Sequence, residues 1–389
     1  MNGFLKLFLY CFFSLSVLTS NTKYMIWHTI ITLFREQVSK NGAKTAVAEP
    51  DGRRITYSGL DENARRVAAK LLSDGLKTSE PVLIAASRGI GFVEAIFGIL
   101  YAGGAYVPLS DHYPEDRTEF IKNNCGARSV IDDTFIAACA DIAPIEKPTE
   151  VRPEDNALII YTSGSTGKPK GIIHSHSSLK SSTERIVKAA AMVDSDICAV
   201  NAPFYFVAHI ADMLTPLCVG MTAYILPDEV RADPVRLAEI IDSESVTVAY
   251  IAPKVLRYFE KKGSSLRIVL SAGERMSQIA PEGFRLLNMY GMSETAGIAA
   301  CFEVNRGYDN TPIGKPADGV DIYLLDEDGN DGYEGEICVS GDMGRGYIGL
   351  PEQTAQTFTP NPFREKDCHD ILIHTGDLGK RLPDGISST

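Results

Sequence analysis

Residues 161–171 read YTSGSTGKPKG and place Thr162, Ser163, Ser165 and Thr166 among Gly164, Gly167 and Gly171, with the cations Lys168 and Lys170 close behind. Such a loop can hold phosphate. Glycines let backbone N–H groups approach an anion, hydroxyls donate further hydrogen bonds, and ammonium groups supply charge. It is not a Walker A loop, which has glycine five positions before its Gly-Lys pair and Ser or Thr after the lysine; here those positions are Thr162 and Pro169. Pro169 also cannot enter the helix that a P-loop feeds.

Two other constellations compete for chemistry. His174 and His176 form an HSH pair. Alternating strand positions point to opposite faces, so the pair reads as one residue in and one out rather than as a metal site. The run AASRGIG (85–91) follows a strand, and Tyr258 with Lys262 makes a Tyr-x-x-x-Lys pair, as in short-chain dehydrogenases. However, Ala85 stands where that cofactor loop has its first glycine, and a chain with 16 tyrosines meets such a pair by chance.

The elements that position these groups follow from periodicity. Val/Ile/Leu-rich runs at 81–87, 157–163, 222–228, 246–253, 266–272 and 284–290 read as strands. Residues 61–72 and 91–101 carry apolar side chains at three- and four-residue spacing and read as helices. Strands that are apolar throughout are buried on both faces, so the expected fold is α/β, with mostly parallel, helix-covered sheets. Residues 320–341 change texture to two short strands about a Gly/Asp-rich turn, which predicts a small β-rich subdomain. The division expected is 27–310 for the α/β part, 311–386 for the β-rich part and 387–389 for the chain's end.

Composition narrows the partners. With 38 Lys and Arg against 50 Asp and Glu, the net charge of −12 repels a nucleic-acid backbone. Eight cysteines without a CxxC pair read as buried thiols in a reducing compartment, hence a cytoplasmic protein. Against this, residues 7–18 (LFLYCFFSLSVL) form an apolar run behind Lys6, with the length of a signal-peptide core and too short to span a bilayer as a helix. Residues 1–26 are therefore read either as a membrane-inserting leader or as a non-native segment, and membrane association is expected only in the first case.

YTSGSTGKPKG resembles the phosphate loop of the adenylate-forming superfamily, which includes acyl-CoA synthetases and the adenylation domains of nonribosomal peptide synthetases. Further segments are similar to that family's motifs in the same order. They are AGGAYVPLSDHYPEDR (102–117), NMYGMSETAG (288–297), a long run from GEICVSG (335–341) to NPF (361–363), and HTGDLGKRLPDG (374–385). The RGY, PE-TA and NPF details favour the peptide-synthetase branch.

The resemblance implies ATP-dependent formation of an acyl-adenylate, with Mg²⁺ as cofactor and a phosphopantetheine or coenzyme A thiol as acceptor. It implies that 162–171 contact the ATP phosphates, with Lys170 among the catalytic groups. Glu294 would hold Mg²⁺, and Ser293 would bond the α-phosphate in place of the usual threonine. Tyr290 would stack on adenine, Gly273 and Asn288 would line that pocket, and Asp377 would bind the ribose. The partners implied are a small carboxylic acid and a carrier protein.

Two departures from the family pattern shape the expectation. The chain stops where the family's small C-terminal lid domain, with its catalytic lysine, would follow. A truncated reading frame, a fragment and a lid-less, catalytically weak nucleotide-binding homologue are the readings open for that end. In NAPFYFVAHIADML (201–214), Val207 stands where amino-acid-activating members carry an aspartate for the substrate ammonium. The other acyl-pocket positions carried over are Ala208 and Ala211, then Tyr250, Leu270 and Ala272, then Met289, Gly297 and Ile298. Leaving a buried ammonium unpaired costs on the order of 3–5 kcal/mol. An apolar acyl, aryl or hydroxy acid is therefore the expected substrate.

Overall fold

A computed structural model describes residues 29–110, 112–163, 169–263, 265–364, 371–383 and 385–388. The apolar runs form the interiors of two sheets. The larger has nine strands, whose six inner members, Thr45–Ala48, Thr222–Ile225, Ile197–Val200, Val248–Tyr250, Ile268–Ser271 and Arg285–Tyr290, are all parallel to their neighbours. Antiparallel strands close it at both edges. The second has five strands, of which Ser129–Ile131, Pro81–Ile84, Ala105–Pro108 and Asn156–Ser163 are parallel and Pro169–Ser175 is antiparallel. Strands such as Ile268–Ser271 and Ala105–Pro108 are buried at every position, as continuous apolar runs require.

Amphipathic helices cover these sheets. Tyr57–Ser73 starts where Thr56 accepts a hydrogen bond from Gly59 N and buries Leu60, Ala64, Val67 and Leu71 at helical spacing. Ile90–Tyr101 is apolar almost all round and is buried almost throughout, packed against Tyr57–Ser73. The third sheet is wholly antiparallel. Its strands Asp321–Leu325 and Glu334–Ser340 flank the Asp/Gly-rich turn, Glu334–Ser340 pairs with Ile371–Leu382, and Phe358–Pro360 and Gly385–Ser388 pair with that long strand. The α/β class with mostly parallel sheets and a β-rich part is thus observed.

The edge strand Pro169–Ser175 is covered by residues 345–348. Ile173 N donates to Gly346 O, Arg345 N donates to Ile173 O, and Ile348 N donates to Gly171 O. Ile172 faces Tyr347 across this short antiparallel ladder. It ties the end of the phosphate-loop motif to the GRGYIG segment, far along the chain.

The described cysteines are free thiols; Cys139, Cys198, Cys218 and Cys338 are buried and Cys125 and Cys301 half-buried. Both His174 and His176 are buried, because His174 faces inward near the end of the strand Pro169–Ser175 while His176 opens the following helix, where strand alternation no longer applies. No helix among the described residues is long and apolar enough to cross a membrane. The apolar run 7–18 lies outside the described residues.

Candidate functional site

The phosphate-loop motif joins two paired strands. Thr162 pairs with Lys170 and Tyr161 with Gly171, so the motif leads into an antiparallel strand and not into a helix. Gly171 is required by this pairing, since a Cβ there would lie 2.7 Å from the Tyr161 ring. That ring is held in turn by its hydroxyl, which donates to Asn124 Oδ1 at 2.6 Å. Gly164, Ser165, Thr166, Gly167 and Lys168 lie outside the described residues. Ser163 is described as a strand position paired with Pro169.

At the far end of the motif, Lys170 places its Nζ 5.3 Å from the centre of the Tyr347 ring, within cation–π range. The Tyr347 hydroxyl donates to Glu294 Oε1 at 2.7 Å. Glu294 sits on a single 3-10 turn, Ser293–Thr295, directly after the strand Arg285–Tyr290. That turn is pinned by Gly344 N, which donates to Glu294 O at 2.8 Å. Ser293 is half-buried beside it. Lys170, Glu294 and Tyr347 therefore converge from three separate segments. Tyr347 was not assigned a role from the sequence; the RGY triplet was the available signal, but its partner lies 53 positions away.

Four of the expected nucleotide residues line one cavity of about 340 Å³, namely Gly273, Asn288, Tyr290 and Asp377. Asn288 Nδ2 donates to Pro312 O at 2.8 Å. Tyr290, half-buried, donates its hydroxyl to Asp377 Oδ2 at 2.7 Å, and burial pushes the phenol's pKa up. Thr311 lines the same cavity, buried, with a hydroxyl that has no hydrogen-bond partner among the described residues. Sequence reasoning passed over Thr311, because a lone threonine between Asn310 and Pro312 carries no signal.

Asp377 owes its position to a bulge. Between the pairs Glu336–Leu378 and Cys338–His374 the long strand spends two extra residues. Thr375, Gly376 and Asp377 are thrown out, with Gly376 at φ +77°. Two bonds fix the bulge: Thr375 Oγ1 donates to Ile337 O at 2.6 Å, and Gly376 N donates to Glu336 Oε1 at 2.9 Å.

The expected acyl-pocket positions are only partly brought together. Ala211, Leu270, Met289 and Ile298 belong to the main hydrophobic core, which extends from Ile30 to Ile386, with Val207, Tyr250 and Ala272 packed against it, so this shared burial does not by itself form one pocket. Ala208 and Gly297 are half-buried outside that core. Tyr250 donates its hydroxyl to Ala272 O at 3.0 Å and pairs with Leu270 in the sheet. Tyr250 also lines a larger cavity of about 410 Å³ with Arg88, Phe204, Phe206 and Arg231, whereas Met289 lines the nucleotide cavity.

The segment carrying Val207 is held by two charged side chains that sequence reasoning missed. Asp212, on one turn of π-helix at Ile210–Leu214, is fully buried. Its Oδ2 accepts from Asn201 N at 2.7 Å and Ala202 N at 2.6 Å, while Oδ1 has no partner among the described residues. Burial raises the Asp212 pKa to about 7. Arg88 donates to three carbonyls, Leu226, Ala202 and Val200, and burial lowers its pKa to about 10. Arg88 belongs to the AASRGIG run, so that run braces strand ends here. Tyr258 is exposed, and Lys262 pairs with Glu239 at 2.9 Å. The dehydrogenase constellation is not assembled.

Helix-covered, mostly parallel sheets, with a Gly/Ser/Thr-rich motif joining two paired strands, define a protein of the α/β class. The chain belongs to the AMP-binding enzyme family, whose pattern matches residues 34–348. It is 31% identical to bacitracin synthase 1 of Bacillus licheniformis, over 94% of this chain and 7% of that protein. The N-terminal subdomain of Klebsiella oxytoca NpsA, solved with 3-hydroxyanthranilyl-AMSN, superposes with a TM-score of 0.81 at 22% identity, over 92% of this chain and 98% of that one. The nonribosomal peptide synthetase FmoA3 gives the same TM-score at 25% identity, over 93% of this chain and 42% of that one. The chain thus spans a small part of the curated synthase it matches.

Proposed function

We propose that the protein activates a carboxylic acid with ATP as an acyl-adenylate, for transfer to the thiol of phosphopantetheine on a carrier protein or of coenzyme A. The convergence of Lys170, Tyr347 and Glu294, on the turn that follows the Asn288–Tyr290 cavity wall, carries this reading. In the reaction a carboxylate oxygen attacks the α-phosphorus, the bond to the bridging oxygen breaks, and pyrophosphate leaves with that electron pair. The thiolate then attacks the acyl carbon, and AMP leaves. Little covalent chemistry falls to the protein, which positions reactants and neutralises charge.

Each residue's part follows from its place. Lys170 supplies positive charge where the phosphate motif ends, and Ser293 offers a hydroxyl one residue before Glu294. The oxygen donors here suit a hard divalent cation, and Mg²⁺ held by Glu294 would neutralise and orient the ATP phosphates. Tyr347 keeps the Glu294 carboxylate in one orientation. Tyr290 offers a ring face to the base, and Asp377 offers a carboxylate to the ribose hydroxyls. The apolar character of Val207, Ala211, Leu270 and Met289 supports an apolar acid lacking an α-amino group. Cytoplasmic residence fits both the need for ATP and the free cysteines.

Calorimetric titration with a non-hydrolysable ATP analogue, with and without Mg²⁺, tests the reading. The folded protein binds, and Glu294→Gln weakens the magnesium-dependent component by about tenfold or more, the equivalent of one lost charged contact. Absence of binding by folded protein refutes the assignment.

A further inference from the structure

Beside the bulge that carries Asp377, three potential metal ligands converge in the antiparallel sheet. Glu336 and Cys338 lie two apart on Glu334–Ser340 and so share one face. His374 is the direct cross-strand partner of Cys338. Their ligand atoms all lie within 4.8 Å of one another. His374 Nδ1 is 2.8 Å from Glu336 Oε2 and 3.4 Å from Cys338 Sγ. Cys338 is buried, whereas the Glu336 and His374 side chains are about 30% and 28% exposed, which leaves a route for an ion from solvent.

One nitrogen is addressed by two side chains. An imidazole Nδ1 carries either one hydrogen or one lone pair, so it can donate to Glu336 or accept from Cys338, but not both. A cation at the centre accepts a lone pair from all three. The remaining atoms are already placed as outer ligand contacts require. His374 Nε2 lies 3.1 Å from Thr359 Oγ1, which fixes the ring, and Glu336 Oε1 accepts from Gly376 N, which turns Oε2 toward His374.

We propose that Glu336, Cys338 and His374 form a zinc site. Sulfur, nitrogen and oxygen donors together select a borderline ion over Mg²⁺ or Ca²⁺, and three protein ligands leave a fourth position for water. Zinc–ligand lengths near 2.0–2.3 Å place tetrahedral ligand atoms roughly 3.4–3.6 Å apart. The sulfur–nitrogen spacing already fits, and the nitrogen–oxygen spacing opens by about half an ångström, within reach of a glutamate rotamer adjustment. Binding releases the Cys338 thiol proton to solvent. Because Glu336 also holds Gly376, the ion sits beneath the bulge that presents Asp377 and ties that bulge to two strands. This site shares no ligand with Glu294 and stands independently of the nucleotide reading.

The test uses the full chain stripped with a chelator and titrated with Zn²⁺ alone by calorimetry, and with Co²⁺ alone by absorption. One Zn²⁺ binds per chain and raises the melting temperature, and Co²⁺ gives a thiolate-to-metal charge-transfer band. Cys338→Ser and His374→Gln, checked for folding by circular dichroism, lose that band. Thr359→Val keeps all three ligands and lowers zinc affinity by about 10–100-fold, the usual cost of losing an outer contact. Absence of the band in folded wild type, or a band that survives Cys338→Ser, overturns the proposal.

Discussion

Replacing Tyr347 with phenylalanine isolates one hydroxyl. The ring remains to face Lys170 and to pack edge-on against Phe358 at a centroid distance of 5.4 Å. What is lost is the 2.7 Å bond to Glu294, a carboxylate in a residue only 8% exposed. A hydrogen bond to a charged group contributes about 1.5–3 kcal/mol net. About 1.4 kcal/mol is tenfold in an equilibrium constant, so magnesium-dependent binding of an ATP analogue should weaken by roughly ten- to a hundredfold. Without Mg²⁺ the two proteins should bind the analogue more nearly alike, because the hydroxyl acts through Glu294. Calorimetry in both conditions reads the difference, and thermal melts show the accompanying loss of stability. A Tyr347→Phe protein with full magnesium-dependent affinity and an unchanged melt refutes the positioning role.

Two further outcomes follow from buried groups. Val207→Asp supplies a counter-charge for an ammonium and should shift the affinity ratio for matched amino and desamino acids more than tenfold toward the amino acids. A binding panel with an ATP analogue present reads this; a wild-type preference for amino acids that Asp212→Asn abolishes would move the ammonium site to Asp212 and sink the argument. Burial lowers the pKa values of His174, His176 and His209 to about 4, so the stability they contribute as neutral rings is present above pH 6.5 and lost as pH falls toward 4. Asp212, raised to about 7 from an ordinary 3.8, acts oppositely: its contribution is present below 3.8 and lost as pH rises through 7. Three groups outweigh one, so the melting temperature should fall between pH 6.5 and 5, and fall more steeply in Asp212→Asn; a rise over that range in wild type contradicts this.

The long apolar runs were legible because burial on both faces leaves one kind of residue in them. All six expected strands are present, as at Asn156–Ser163 and Arg285–Tyr290, and both expected helices are too. Ser129–Ile131 and Ile197–Val200 escaped although strands as short as Val248–Tyr250 were found, because polar residues (Arg128 and Asp132, Asp196 and Asn201) bound them at once and leave no longer apolar run to read. In the site, Gly273, Asn288, Tyr290 and Asp377 were reached through motif resemblance, and they share a cavity. Tyr347, Asp212 and Arg88 were not reached. Their roles depend on partners that tertiary folding supplies: Arg88 grips carbonyls more than a hundred positions away, and Asp212 spends its charge on backbone N–H groups. No local pattern encodes such contacts.

The ladder between residues 345–348 and Pro169–Ser175 bears on self-association as well as on the geometry around Glu294. A bare outer strand offers unpaired N–H and C=O groups to any neighbouring chain and templates aggregation. Here the same GRGYIG residues that carry Tyr347 to Glu294 also cap that outer strand. A nascent chain released before residue 344 would therefore present an open, Ile-bearing edge, and the segment that completes the site is the one that closes it. The contacts that place Tyr347 at Glu294 and those that close the edge thus fall on the same few residues.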